Sequence, residues 1–376
     1  ELFDGSKLKR SKQRINNLNF FEDVKVDTHR GQDPDLIDIL TTVTEKPTGS
    51  FTIGAGFSSV ENLIFSTSIA QNNLFGGGQR LNLTAKLSSI RTDFNLSYTE
   101  PRVFDSDISF GVDAFNQDQD LISFDAQSTG GGFRLGKNVT EYDSVNLKYR
   151  FDNVETSGVS AADETEFFKN GTRVTSRIAP TYVHDTRDNF LNPSKGWRHV
   201  VGFDFGGLGG VKFTKSQYEV TYYRPLFGKL VGAIHARINY ADGYGGDKLP
   251  AFERFFMGGP TSLRGFTIED VGPQNSDGNP TGGNQALLLN LEAQYPFTKS
   301  FRGFLFYDRG NIYGGGIDSN DTTSSKFDLG KMRSSVGAGI RFISPFGPLG
   351  FSYGIKLDRK SGEKSGEFHF SAGSAF

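Results

Sequence analysis

The sequence predicts an all-β transmembrane protein, an antiparallel β-barrel of about sixteen strands preceded by a short α/β segment. Three observations predict it. Apolar and polar residues alternate with period two through most of the chain, charged residues stand in the middle of those runs, and the connections fall into a short set and a longer, variable set. The composition agrees. Gly is 47 of 376 residues and Phe 36, against a usual ~7% for Gly, while mean hydropathy is −0.41. A chain polar on average yet rich in Gly and Phe suits strands with one apolar and one polar face, and not an α/β enzyme built on continuously apolar strands. No run of ~18 apolar residues is present, which excludes transmembrane helices and leaves barrel strands open. A net charge of −2 gives no general attraction to nucleic acid. Cys is absent, so an oxidising compartment is allowed but not indicated. Glu1 stands where a Met or signal peptide would, so the chain reads as a mature or trimmed one.

Residues 1–48 differ from the rest. Ser6 to Asn17 reads as a basic helix, with Lys7, Lys9, Arg10, Lys12 and Arg14 around sparse anchors Leu8, Ile15 and Leu18. A solvated face is the plainer reading of those charges, and an acidic lipid or partner the sharper one. Glu22–Asp27 and Leu36–Glu45 read as strands.

From residue 49 the alternation is clean. Ser50, Phe51, Thr52, Ile53, Gly54, Ala55 and Gly56 open the first strand, Ser50–Ser58. Leu81, Leu83, Ala85 and Leu87 alternate with Asn82, Thr84, Lys86 and Ser88, and Val145, Leu147, Tyr149 and Phe151 with Asn146, Lys148, Arg150 and Asp152. The same pattern fills 94–98, 287–295, 336–342 and 349–358. A sandwich core cannot serve so many long strands, whereas a barrel turns the apolar faces to lipid and the polar faces to a wet lumen. The short connections carry Pro at strand ends, where a missing N–H breaks no ladder bond: Glu100-Pro101, Arg224 to Gly228, Tyr295-Pro296-Phe297 and Ser344 to Gly347. The variable set includes Thr156–Gly171, Ala241–Gln285 and Gly314–Lys331.

Four motifs stand out. Leu263-Arg264-Gly265-Phe266 lies in the longest loop, after Gly258-Gly259-Pro260. Phe306, Asp308 and Gly310 sit on a later strand, where Leu305 and Tyr307 take the lipid side and Asp308 therefore points inward. His184 to Asn189, running on to Pro193 and Gly196, has the residues of a tight capped turn. The chain ends on Phe368, Phe370, Ala372, Ser374 and Phe376, with Gly373 permitting a kink. The five His, at 29, 184, 199, 235 and 369, have no metalloprotease spacing, and no nucleotide-binding P-loop occurs.

These motifs resemble those of the BamA family of outer-membrane assembly insertases, within the superfamily of POTRA-bearing barrels, and the resemblance covers the whole chain. Leu263 to Phe266 is similar to the family's VRGF, with Leu263 a mild departure, and Phe306, Asp308 and Gly310 match its FxDxG. Leu18 to Val24 is similar to the later half of a POTRA domain. The resemblance implies residues 1–48 as the C-terminal part of a POTRA domain, lying in the periplasm, and 49–376 as a barrel in the outer membrane of a Gram-negative bacterium with loop 241–285 turned inward. Thr156–Gly171 and Ala241–Gln285 are expected outside the cell, and an even strand count returns Phe376 to the periplasmic side. The resemblance also implies an ion pair between Arg264 and Asp308, and a lateral seam between Ser50–Ser58 and Phe368–Phe376, with Thr52 and Ser371 in one neighbourhood. The implied partners are nascent outer-membrane β-barrel proteins, accessory assembly lipoproteins held through the POTRA region, and outer-membrane lipid; no nucleic acid, cofactor, metal or enzymatic step is implied. The rival reading is a secretion or passive pore of the same superfamily, of the two-partner secretion or autotransporter-assembly kind. An outer-membrane phospholipase is a remote third, since no Ser–His pair is evident.

Overall fold

The computed structural model describes residues 4–372 apart from 32, 34, 35, 162, 166, 167, 191, 315–326 and 345–346. Asp4 opens helix α1 (Gly5–Asn17) by accepting from the backbone N–H of Ser6 at 2.8 Å and of Lys7 at 3.4 Å, which satisfies donors that a helix start leaves unpaired. Beyond Leu18 the chain breaks at Asn19, whose φ of 59° lies in the left-handed region that Asn tolerates. Strands β1 (Phe21–Arg30) and β2 (Ile37–Glu45) form a separate antiparallel hairpin. Val24 is buried in it, while Ile37, Ile39, Leu40 and Val43 are 39–54% exposed.

The remaining strands are β3 (Gly49–Ser58), β4 (Asn62–Leu74), β5 (Gln79–Leu87), β6 (Arg91–Glu100), β7 (Ile108–Asp120), β8 (Asp125–Asn138), β9 (Asp143–Ser157), β10 (Gly171–Asp185), β11 (Gly196–Gly206), β12 (Phe213–Pro225), β13 (Val231–Gly243), β14 (Gln285–Pro296), β15 (Phe301–Tyr313), β16 (Arg333–Ser344), β17 (Gly347–Lys356) and β18 (Gly366–Ala372). Each pairs antiparallel with the next, and β18 returns to β3, so the described residues close a barrel of sixteen strands.

The barrel wall is inverted relative to a water-soluble fold. Leu83, Phe94, Leu96, Val145, Phe151 and Tyr353 are all exposed, whereas Asp308, Ser335, Gln294 and Arg302 are buried. Apolar outside and polar inside is the arrangement that lipid imposes. Neither requirement is met by a helix, and no described helix is long and apolar enough to cross a membrane. Closure pairs the backbone groups from strand to strand, which a hydrocarbon environment demands.

The long connection is 244–284, slightly shorter than the sequence suggests, because β13 runs to Gly243 and Ala241 still donates its N–H to Asn284 O at 2.7 Å. The turn after His184 is built as the sequence reads it. Asp188 accepts from the N–H of Ser194 and Lys195 at 2.8 and 3.1 Å. Gly196 takes φ +108°, where a Cβ would stand 2.4 Å from Thr186 O. The expected turn Ser344 to Gly347 lies partly outside the described residues.

One junction differs from the others. The β3–β4 ladder runs unbroken from Gly49↔Gln71 to Ser58↔Asn62. Between β18 and β3 the described pairs are Ser371↔Ser58 and Ala372↔Phe57, with Ser59 donating its N–H to Phe370 O at 2.8 Å. Ser371 therefore meets Ser58, and the expectation that it lies near Thr52 is corrected. The cause is local: Ser58 Oγ accepts from the N–H of Val60 and Glu61 at 3.3 and 2.9 Å, so the chain turns before β3 can run alongside Gly366–His369. Gly373 and Phe376 lie outside the described residues.

Candidate functional site in the lumen

Loop 244–284 crosses the barrel interior, and its own backbone shapes it. Gly258 and Gly259 take φ +129° and +92°, and Pro260 follows. Ser262 Oγ accepts from Gly258 N–H at 3.0 Å and donates to Gly258 O at 2.9 Å, while Met257 bridges Val271. The resulting tight bend presents Leu263-Arg264-Gly265-Phe266 to the wall. Leu263 and Phe266 are fully buried and pack with Met257, Val271, Ala286, Leu288 and Ile312, an apolar plug inside a polar lumen.

Arg264 is held through each of its three guanidinium nitrogens. Its Nε and Nη2 reach the two carboxylate oxygens of Asp308, each at 2.7 Å, and its Nη1 reaches Glu292 Oε1 at 2.5 Å. The forked pairing is the strong, oriented form of this contact. The guanidinium lies over the Phe306 ring at 3.8 Å from the centroid. Its own backbone joins in: Arg264 N–H donates to Asp308 Oδ2 at 3.1 Å, and Arg264 O accepts from Ser335 Oγ. Burial disfavours the guanidinium charge, but the Asp308 hydrogen bonds and Glu292 more than offset it, so the Arg264 pKa stands above the ordinary arginine value. Glu292 is also bound by Arg341 through two contacts of 2.9 Å.

Glycines make the fit. Gly265 takes φ +86°, and a Cβ there would stand 2.9 Å from Gly354 C on β17. A Cβ on Gly310 would stand 2.7 Å from Met257 Sδ, and one on Gly337 of β16 would overlap the Phe306 ring. The motif thus needs small residues on both surfaces. Gly265 N–H then donates to His369 Nε2 on β18 at 3.1 Å, so four residues of the loop touch β14 through β18, up to the last strand.

A second anchor holds the loop at another part of the wall, on β10 and β12. Glu253, 4% exposed, accepts from Arg177 of β10 at 2.7 Å and Lys215 of β12 at 2.9 Å. Burial works against its charge, yet Lys215 and Arg177 hold its pKa below the usual value of 4.5. A depressed carboxylate contributes stability that is complete above the unfolded-state pKa and is lost as pH falls through the folded one. The anchor is therefore expected to hold through neutral and mildly acidic pH and to yield only in acid, below the ordinary carboxylate range. Glu253→Gln should remove that acid step and raise hydrogen exchange at 249–256 severalfold at neutral pH; exchange unchanged in the variant would contradict the anchor. The loop separates two cavities of about 610 and 450 Å³, and Arg264 lines both.

Of the residues singled out in the sequence, the structure brings together Leu263, Arg264, Gly265, Phe266, Phe306, Asp308 and Gly310. It does not join all of the seam set. Ser50, Phe51, Thr52, Ile53, Gly54, Ala55 and Gly56 pair with β4 and have no β18 partner among the described residues. Across the junction Phe57 meets Phe370, ring centroids 5.9 Å apart, and Phe368 lies exposed beyond it. Sequence reasoning missed Glu253, Glu292, Ser335, Gly354 and His369 as site residues. Glu292 was legible as an inward charge in mid-strand, whereas nothing around Glu253 marks it.

The geometry defines a membrane-spanning barrel of bacterial outer-membrane type, with a loop clamped inside its lumen at two places on the wall. The chain belongs to the Omp85 superfamily, whose domain matches residues 73–376. An outer membrane protein assembly factor BamA of Nitratidesulfovibrio vulgaris is 33% identical, in an alignment covering 100% of this chain and 48% of that one; the chain spans about half the length of the BamA relatives it matches. In structure it is similar to BamA from Haemophilus ducreyi lacking POTRA domains 1–3, with a TM-score of 0.87 at 22% identity over 99% of this chain and 79% of that chain. It is less similar to CdiB from Acinetobacter baumannii, with 0.60 at 15% identity over 97% and 68%.

Proposed function

We propose that the chain assembles β-barrel proteins into the bacterial outer membrane through the junction between its first and last strands. The observation that carries this reading is the β18 edge. Gly366–His369 pair with β17 but among the described residues have no β3 partner, because β3 ends at Ser58. An unpaired edge is a template for another strand, and an incoming strand would gain main-chain hydrogen bonds along it by β-augmentation. The client is a nascent outer-membrane barrel. Gly5–Glu45 is read as the closing part of a periplasmic POTRA module that receives clients and accessory lipoproteins. The name of the 33%-identical relative supports the same function.

No nucleotide or covalent step enters this scheme, since the free energy comes from strand pairing and from burial of the client's apolar face in lipid. A secretion pore of the same superfamily is the rival. The likeness to CdiB is a likeness of fold, and the doubly anchored loop argues against an open lumen. Folding of an unrelated barrel into liposomes tests the proposal. Liposomes carrying this protein should fold the client at least several times faster than empty ones; equal rates would remove the insertase reading and leave the pore.

A further inference from the structure

The lumen cavity of about 610 Å³, at the barrel end that carries turns 186–195 and 297–300, contains an arginine that its walls do not neutralise. Arg187, Arg198, Arg264, Arg302 and Arg341 all line it. Arg187 is held by Asp185 at 2.6 Å, Arg198 by Glu219 at 3.2 Å, Arg264 by Asp308 at 2.7 Å and Arg341 by Glu292 at 2.9 Å. Arg302 is only 7% exposed, yet among the described residues it has no carboxylate within ion-pair distance. Its Nη1 donates to Gln294 Oε1 and, at 3.2 Å, to Pro193 O, and both acceptors are neutral. Its Nε is buried without an acceptor.

The surroundings deepen the deficit. Arg302 and Arg341 are direct register partners on β15 and β16, so their guanidiniums enter the cavity side by side, an arrangement that destabilises like charges. Gln294, which accepts from Arg302, donates its Nε2 to Glu292 Oε2 at 2.6 Å. Glu292 thus answers Arg264 and Arg341 directly and Arg302 through an amide, while Asp308 is engaged by Arg264. A buried charge without a counter-charge is costly, and the cluster lacks one negative charge. We propose that this cavity binds an organic monocarboxylate. The carboxylate lies between Arg302 and Arg341, whose side chain is 40% exposed, and supplies both the acceptor and the charge. The apolar body of the ligand rests on Tyr223, Ala233 and Pro260, which line the same cavity. The volume is that of a site for a small organic molecule and not for a bare ion.

Calorimetric titration of the full chain in detergent micelles tests the site with benzoate, its neutral isostere benzamide, and acetate. Benzoate should bind about tenfold more tightly than benzamide, the effect of one charge-assisted contact. It should also bind more tightly than acetate, which lacks the apolar body. Arg302→Gln keeps a donor for Pro193 O and should erase the preference for benzoate over benzamide. Arg302→Lys keeps the charge without the planar fork and should retain part of it. Equal binding of benzoate and benzamide to the unaltered protein would overturn the site. A preference undiminished in Arg302→Gln would overturn Arg302 as its anchor, and acetate binding as tightly as benzoate would overturn the organic ligand. Client folding enters none of these readouts, so their failure leaves the insertase reading where it stands.

Discussion

Arg264→Ala is expected to free the lumen loop and to abolish most assembly activity while leaving a folded barrel. The substitution removes the fork on Asp308, which is fully buried, and leaves that carboxylate without its guanidinium. Breaking one side of a buried pair costs about 3–5 kcal/mol, more than a surface contact supplies. Glu292 fares better because Arg341 remains on it. The cost therefore falls on the loop and on β15, and not on the strand ladder. Hydrogen exchange across 258–271 should rise by orders of magnitude, and the loop should become a protease target. Arg264→Lys should recover only part of the loss, since an ammonium cannot span both Asp308 oxygens and Glu292 together. His369→Leu should have a related, smaller effect, because it deletes the acceptor for Gly265 N–H and leaves the rest of the clamp in place. Protection at 258–271 and activity both unchanged in Arg264→Ala would contradict a clamp.

Much of the architecture was legible because a barrel wall has a two-residue period. Rows such as Leu81 to Leu87 or Val145 to Phe151 declare their outer face, and the charged residues between them declare the inner one. The same reasoning put Asp308 in the lumen from its neighbours Leu305 and Tyr307. Periodicity assigns a face but not a partner. That Arg264 meets Asp308 was suggested by a family resemblance, and that Glu292, Ser335 and His369 complete the socket depends on which strands stand side by side. The second anchor was illegible for a different reason. Glu253 ends a single 3₁₀ turn within the loop, Ala251–Glu253, and its partners Arg177 and Lys215 lie on β10 and β12, far from it in sequence. Gly354 shows the limit of composition: a glycine in a strand predicts a bulge or a close approach, but only the structure shows that the approaching backbone is Gly265.

The junction was legible in part. The sequence identified the strands that close the barrel. It could not supply the register, because register depends on where β3 ends, and that is decided by Ser58 capping the turn at Val60 and Glu61. One consequence is practical. A crosslink across the junction belongs at Ser58 and Ser371, which are direct partners, and antiparallel partners lie within disulfide reach.

That crosslink decides whether clients enter between β18 and β3. The chain has no Cys, so Ser58→Cys with Ser371→Cys introduces the only thiols. The reduced double variant should fold a client barrel into liposomes at close to the unaltered rate, with a small loss from the Ser58 cap. Oxidation should then suppress client folding at least tenfold, and added reductant should restore it, because a strand cannot enter a junction that is covalently closed. Client folding undiminished with the disulfide fully formed would contradict insertion through the β18–β3 junction.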